Sequence, residues 1–103
     1  MQRVISENVQ NRIFQFYQNA RLKYSHTYSA QDSVRDANKV YDELYKVGTN
    51  ELLKKNNSVI RSWSGYLVDY SKATGWYFAY EIRNNIIFIE EAENFRNMSE
   101  IDL

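Results

Sequence analysis

The sequence predicts an α+β domain with a short N-terminal strand, two amphipathic helices and a C-terminal antiparallel sheet of three to four strands. Its 103 residues are a one-domain length, enough for a single core of modest size. In the first half, apolar residues recur at helical spacings of three and four. The second half instead carries short aromatic and β-branched runs that end at Asn and Gly, which is typical of strands and turns.

The first predicted elements are a short strand at residues 2–5 and a helix that begins after Ser6. Serine is a preferred residue at the start of a helix, because its hydroxyl accepts a hydrogen bond from a free backbone N–H group. The apolar positions of a helix of about four turns follow: Val9, Ile13, Phe16, Tyr17 and Ala20. Residues 24–29 interrupt this pattern.

A second helix is predicted to begin at Ser29, since Asp32 follows three residues later and completes a capping pair. Gly48 supplies the left-handed residue that commonly ends a helix. The apolar stripe between them is Val34, Ala37, Val40, Tyr41, Leu44 and Val47. The first half therefore contains two neighbouring helices.

The middle of the chain changes character after Thr49. A short turn of helix is predicted through Leu52 and Leu53, followed by a turn at residues 56–57 and a strand at 58–63. Residues 66–70 form either another strand or an ordered loop. Residues 71–75 are polar, are expected to be flexible, and lack the spacing of a phosphate-binding P-loop.

The clearest pattern is a hairpin in which residues 76–82 and 86–92 flank a turn at 83–85. Strand alternation assigns Trp76, Phe78, Tyr80 and Ile82 to one face and Tyr77, Ala79, Glu81 and Arg83 to the other. One face is expected to pack on the helices. The other is expected to meet solvent or a ligand.

Charge and composition narrow the function. The chain carries 13 basic and 13 acidic residues, which argues against a protein that holds nucleic acid by a large electrostatic field. Residues 1–80 have 11 basic and 7 acidic residues, whereas residues 81–103 have 2 and 6. There is no cysteine, no apolar run of membrane length and no ligand spacing around Glu90 and Glu91. We expect a cytoplasmic protein without membrane association, metal or cofactor.

The order of the predicted elements resembles that of the RelE/ParE superfamily of small bacterial toxins. The residues that carry the resemblance run from Gly75 through the aromatic strand 76–82 and the turn 83–85 to the Ile-rich strand that begins at Ile86. The resemblance implies a toxin component of a toxin–antitoxin pair with an antitoxin protein as partner. Its target would be messenger RNA on the ribosome, which the toxin would cleave as an endoribonuclease, or DNA gyrase.

The resemblance also implies site residues. The family has basic residues just before and within its second strand, and Lys54, Lys55 and Arg61 match them. Arg83 matches a further basic residue of the family on or near the penultimate strand. Arg96 matches a basic residue near the end of the family pattern, where Phe95 stands in place of a His or Tyr.

In the ribonuclease interpretation, Lys54, Arg61, Arg83 and Arg96 are the candidate catalytic residues, because RNA cleavage needs proton transfer and stabilisation of a charged phosphorane. Lys55, Tyr66 and Tyr77 are the candidate RNA-binding residues, since aromatic rings stack on unpaired bases. Two alternatives stay open: a non-catalytic protein-interaction module of the same fold, and a ParE-type inhibitor of DNA gyrase. His26, the only histidine, lies in the inter-helix loop.

Overall fold

The computed structural model describes residues 1–97, apart from the side chains of Val59 and Asn97. Residues 98–103, which include the last two acidic residues counted above, lie outside the described part. The regular elements are β1 (Gln2–Ile5), α1 (Glu7–Lys23), α2 (Ala30–Glu43), β2 (Leu53–Lys55), β3 (Leu67–Tyr70), β4 (Trp76–Arg83) and β5 (Ile86–Asn94). The predicted α+β class, the N-terminal strand and both helices are confirmed.

Both helices begin where the capping residues predicted. The Ser6 hydroxyl accepts a hydrogen bond from the Val9 N–H group, and Ser29 forms a complete capping box with Asp32. One position of the predicted stripe is wrong, since Val34 is 58% exposed while Ala37 is buried. Within residues 1–97, no helix has both the length and the apolar character needed to cross a membrane.

The sheet has five strands in the order β1-β5-β4-β3-β2. The prediction of a purely antiparallel sheet of three to four strands is therefore wrong. The N-terminal strand β1 pairs in parallel with β5, with Val4 opposite Phe88, whereas all other pairs are antiparallel. The sheet is mixed because both helices lie between β1 and the later strands in the chain. A connection of this length lets β1 lie beside the last strand in the same direction.

The segment before β3 differs most from the prediction. The residues predicted as a turn of helix belong in part to β2, which pairs with β3. The strand predicted at 58–63 is instead two 3-10 turns, at Asn57–Val59 and Arg61–Trp63. The Asn56 side chain favours the first turn by accepting a hydrogen bond from the Ser58 N–H group. Of the two alternatives for residues 66–70, a strand forms from Leu67 onward.

The segment expected to be flexible, residues 71–75, is held by hydrogen bonds at both ends. The Ser71 N–H group donates to the Trp76 carbonyl, and the Gly75 N–H group donates to the Ser71 carbonyl. The buried Ser71 hydroxyl donates to the Glu43 carboxylate, and the Thr74 hydroxyl donates to the same carboxylate at 2.5 Å. These contacts connect the β3–β4 turn to the end of α2.

Apolar side chains cover both faces of the sheet. On the helix-side face, the largest cluster joins α1 and α2 to β4 and β5, and includes Val9, Ile13, Val40, Leu44, Trp76, Phe78, Tyr80, Ile87 and Ile89. On the opposite face, which we call the second face, Ile60 and Trp63 from the 3-10 segment pack on Val68 and Ala79. The alternation predicted for β4 is confirmed at Trp76, Phe78 and Tyr80, whereas Ile82 is 47% exposed.

Gly48 and Gly65 allow a matched test of backbone strain against crowding. Both have positive φ angles, of +85° and +96°. A Cβ at Gly48 would lie 2.5 Å from Cδ1 of the buried Ile87, whereas one at Gly65 would meet nothing within 4 Å. We expect Gly65→Ala to lower the free energy of unfolding by about 1 kcal/mol and Gly48→Ala by about 2–3 kcal/mol. Urea unfolding measures both, and equal losses would contradict this assignment of the Gly48–Ile87 contact.

Candidate functional site

The buried carboxylate of Asp69 organises the helix-side face near the β2 edge. It accepts hydrogen bonds from the Gly48 N–H group at 2.8 Å, the Tyr80 hydroxyl at 2.9 Å and the Lys54 ammonium at 2.9 Å. Burial raises the pKa of the Tyr80 hydroxyl well above its usual value, and the hydrogen bond and charge of Asp69 raise it further. The structure thus places Lys54, a candidate catalytic residue, as the counterion of a buried carboxylate.

The second face carries a row of one cation and two aromatic rings. Lys55, Tyr70 and Tyr77 come from the three adjacent strands β2, β3 and β4. The Lys55 ammonium lies 5.5 Å from the centre of the Tyr70 ring, and the Tyr70 and Tyr77 rings lie 4.5 Å apart at 36°. The register explains this contact, because Tyr70 stands directly opposite Tyr77. We call these three residues the aromatic row.

The aromatic row is partly open to solvent. Tyr70 and Tyr77 are half-buried and Lys55 is exposed. Burial, followed by the neighbouring Tyr70, raises the pKa of the Tyr77 hydroxyl, so Tyr77 stays protonated near neutral pH. The row therefore offers an ammonium group and two aromatic rings. These groups suit an anion that also carries planar bases.

Arg83 lies at the far end of β4 and is held by acidic neighbours. Its guanidinium lies 4.0 Å from the centre of the Phe88 ring. It forms ion pairs with Glu81 at 3.1 Å and with Glu90 at 3.9 Å. Arg83 thus forms a separate cluster in which two carboxylates offset its charge.

Arg61 and Tyr66 lie on or beside the segment that covers part of the second face. Arg61 is exposed in the second 3-10 turn, and no ion pair joins it to a carboxylate within residues 1–97. Tyr66 packs against the apolar cluster of that face. Burial raises the pKa of its hydroxyl, and the charges of Glu90 and Glu81 raise it further.

Arg96 and His26 lie elsewhere. Arg96 belongs to the 3-10 turn after β5 and lines a cleft between that turn and the two helices. His26 is exposed in the turn between α1 and α2. The candidate residues therefore separate into several places, and of those predicted for RNA binding only Lys55 and Tyr77 come together, through Tyr70.

Three buried carboxylates were missed as organising residues: Asp69 in β3, Glu43 at the end of α2, and Glu93 in β5, which pairs with Arg12 at 3.0 Å. Asp69 stands between Val68 and Tyr70 in an apolar strand, and a charged residue in that position was the available signal, since a buried charge needs partners. Glu43 had no such signal, because a glutamate near the end of an amphipathic helix is usually exposed. Within the described residues, no three His, Asp or Glu side chains come together in a way that could hold a metal ion.

Comparisons with known proteins identify no relative: no family model, no curated protein and no solved structure matches this chain.

Proposed function

We propose that this chain is a RelE/ParE-like toxin component that acts on messenger RNA and holds the RNA on the second face of its sheet. The observation that carries the proposal is the aromatic row, in which Lys55, Tyr70 and Tyr77 lie in contact across three strands. Single-stranded RNA is recognised mainly by stacking of its unpaired bases on aromatic rings, with cations at the phosphates. The order of the elements and the C-terminal hairpin support the resemblance to the toxin family.

The proposal assigns charge stabilisation to Arg61. Its guanidinium is exposed near the same face and has no carboxylate partner in residues 1–97, unlike Lys54 and Arg83. An unpaired guanidinium binds a phosphate through two parallel hydrogen bonds. Cleavage through the 2′-hydroxyl would also require a group that removes the proton of that hydroxyl.

A second candidate, a binding module without catalysis, is favoured by the pairing of the cations. Lys54 is hydrogen bonded to Asp69 at 2.9 Å, and Arg83 lies between Glu81 and Glu90. Neither is arranged as a free acid or base. In this case the chain would bind RNA or an antitoxin protein without cutting the RNA.

The test is inducible expression in bacteria, with growth and messenger RNA integrity followed together. We expect the wild-type chain to arrest growth and fragment messenger RNA, and co-expression of a cognate antitoxin to restore growth. Tyr70→Ala and Lys55→Ala should weaken RNA binding roughly 5-fold to 100-fold, as expected for a lost base stack or phosphate contact, and should relieve the arrest. Arg61→Ala should abolish cleavage while retaining part of the binding.

Tyr45→Ala is the matched control, because Tyr45 is a 66% exposed tyrosine outside the second face. It should leave arrest and cleavage unchanged. Arrest with intact RNA and stabilised gyrase–DNA cleavage complexes would favour the gyrase alternative. RNA binding without arrest would favour the binding module. The absence of both arrest and RNA binding would contradict the proposal.

A further inference from the structure

A cleft lies on the helix side of the molecule, away from the aromatic row. Its main chamber has a volume of about 520 Å³ and its inner recess about 230 Å³. The main chamber lies between α1, the α1–α2 turn and α2, and the recess continues toward the β3–β4 turn and the end of β5. Phe16, Tyr17, Asp36 and Arg96 line both parts, so the two parts lie side by side. This volume is in the range of sites for small organic ligands, roughly 300–1,000 Å³.

Aromatic rings form much of the wall of the cleft. The Phe16 ring meets the Tyr17 ring edge to face at 5.0 Å and the buried Trp76 ring at 5.3 Å. The Tyr17 hydroxyl accepts a hydrogen bond from the Trp76 indole at 3.0 Å. These contacts fix Phe16 and Tyr17, while Tyr24, at the rim, is 52% exposed. The cleft thus combines rigid rings inside with an accessible ring at its entrance.

The charges of the cleft favour an anion. Lys23, Lys39 and Arg96 line it together with a single carboxylate, Asp36. That carboxylate already accepts a hydrogen bond from the Tyr28 hydroxyl at 2.6 Å and forms ion pairs with Arg35 at 3.1 Å and with Lys39 at 4.0 Å, so Lys23 and Arg96 are the lining cations that it does not pair with.

Two of the cations that line the cleft rest on rings instead of carboxylates. Lys23 lies 5.4 Å from the centre of the Tyr24 ring, and Arg96 lies 5.7 Å from that of Phe95. Neither forms an ion pair with an acidic residue inside the range 1–97. A guanidinium or ammonium held in this way keeps its hydrogen-bond donors available to an incoming anion.

We propose that this cleft binds a nucleotide 5′-phosphate, either free or at the 5′ end of an RNA strand. The base would stack on the aromatic wall of the cleft, and Arg96 would receive the phosphate. A planar, anionic ligand matches both features at once, whereas an acidic peptide matches only the charge. The proposal is independent of the proposed function, since it rests on residues of the opposite side of the sheet.

The test measures binding of adenosine 5′-monophosphate to the full chain by equilibrium dialysis. We expect a Kd below about 1 mM, at least 10-fold weaker binding of adenosine, and a 10-fold or greater loss in Arg96→Gln. Lys46→Gln, a cation outside the cleft, should bind like the wild type. In a Trp63→Phe background Trp76 is the only tryptophan, so its fluorescence should change on binding through its hydrogen bond to Tyr17.

Two comparisons distinguish the sources of the phosphate and the class of ligand. A short RNA with a 5′-phosphate that binds at least 10-fold more tightly than the free nucleotide, and loses this advantage with a 5′-hydroxyl, would identify an RNA end. Equal binding would identify the free nucleotide. The proposal is overturned if no nucleotide binds at millimolar concentration, if Arg96→Gln binds like the wild type while retaining its circular dichroism spectrum, or if poly-glutamate binds in place of nucleotide.

Discussion

Asp69→Ala is expected to lower the free energy of unfolding by about 3–5 kcal/mol, the range found when one partner of a buried charged network is removed. The substitution leaves the Gly48 N–H group and the Tyr80 hydroxyl without their acceptor, and the Tyr80 side chain is only 3% exposed. Lys54 contributes less to the loss, because its side chain is 51% exposed and can be hydrated again. Urea unfolding monitored by circular dichroism measures the change.

Asp42→Ala is the matched control for Asp69→Ala. Asp42 is exposed on α2, so its removal should change the free energy of unfolding by less than about 0.5 kcal/mol. Tyr80→Phe should fall between the two, at about 1.5–3 kcal/mol, since it removes one hydrogen bond to a charged acceptor. If Asp69→Ala cost no more than Asp42→Ala, the carboxylate would not organise this part of the sheet.

Trp76→Ala is expected to lower the free energy of unfolding by about 3–5 kcal/mol through the cavity that it leaves. The Trp76 side chain has no exposed surface, packs edge to face against Phe16 and donates a hydrogen bond to Tyr17. Since a domain of this size has a total stability of about 5–15 kcal/mol, the substitution would remove a large part of that stability. Thermal unfolding followed by differential scanning calorimetry measures the change.

Trp76→Phe separates the contribution of ring packing from that of the indole hydrogen bond. A phenyl ring keeps most of the packing and loses the hydrogen bond, so we expect a loss of about 1–2 kcal/mol. Tyr17→Phe should cost about 1 kcal/mol, because it leaves the buried indole N–H group without an acceptor. Equal losses for Trp76→Ala and Trp76→Phe would show that packing around the ring is not the source of the effect.

The features that the sequence predicted well are those determined by local chemistry. Ser6 and Ser29 mark helix starts because a hydroxyl at that position satisfies a free N–H group, whatever the rest of the chain does. The turn of the last hairpin was predictable for the same reason. Asn84 and Asn85 both adopt positive φ angles, of 52° and 64°, and asparagine tolerates this conformation better than most residues.

The features that were not predicted depend on distant partners. The pairing of β1 with β5 leaves no periodic pattern in a strand of four residues, so its direction could not be read from the sequence. Residues 58–63 contain the β-branched and aromatic residues that favour a strand, yet Ile60 and Trp63 are buried from a 3-10 segment that covers the second face. Local propensity was overridden there by tertiary packing.

The candidate site followed the same division. Residue type alone predicted that Lys55 and Tyr77 suit RNA, and their adjacency came only with the strand register. The same register places Lys54 on the opposite face, where it forms an ion pair with Asp69. Neighbouring lysines in a strand therefore have different surroundings, and composition cannot show which of them stays available to a ligand.

The two edges of the sheet bear on how the protein behaves at high concentration. β1 has four residues and β2 three, while the inner strands β4 and β5 have eight and nine. The part of β5 that extends beyond β1 lies against α1, where Asn8 and Arg12 contact Glu91 and Glu93. Each edge thus gives another chain little free backbone to pair with. The β2 edge also carries two charged residues, Lys54 and Lys55. Such edges discourage the strand-to-strand aggregation that limits the solubility of small sheet proteins.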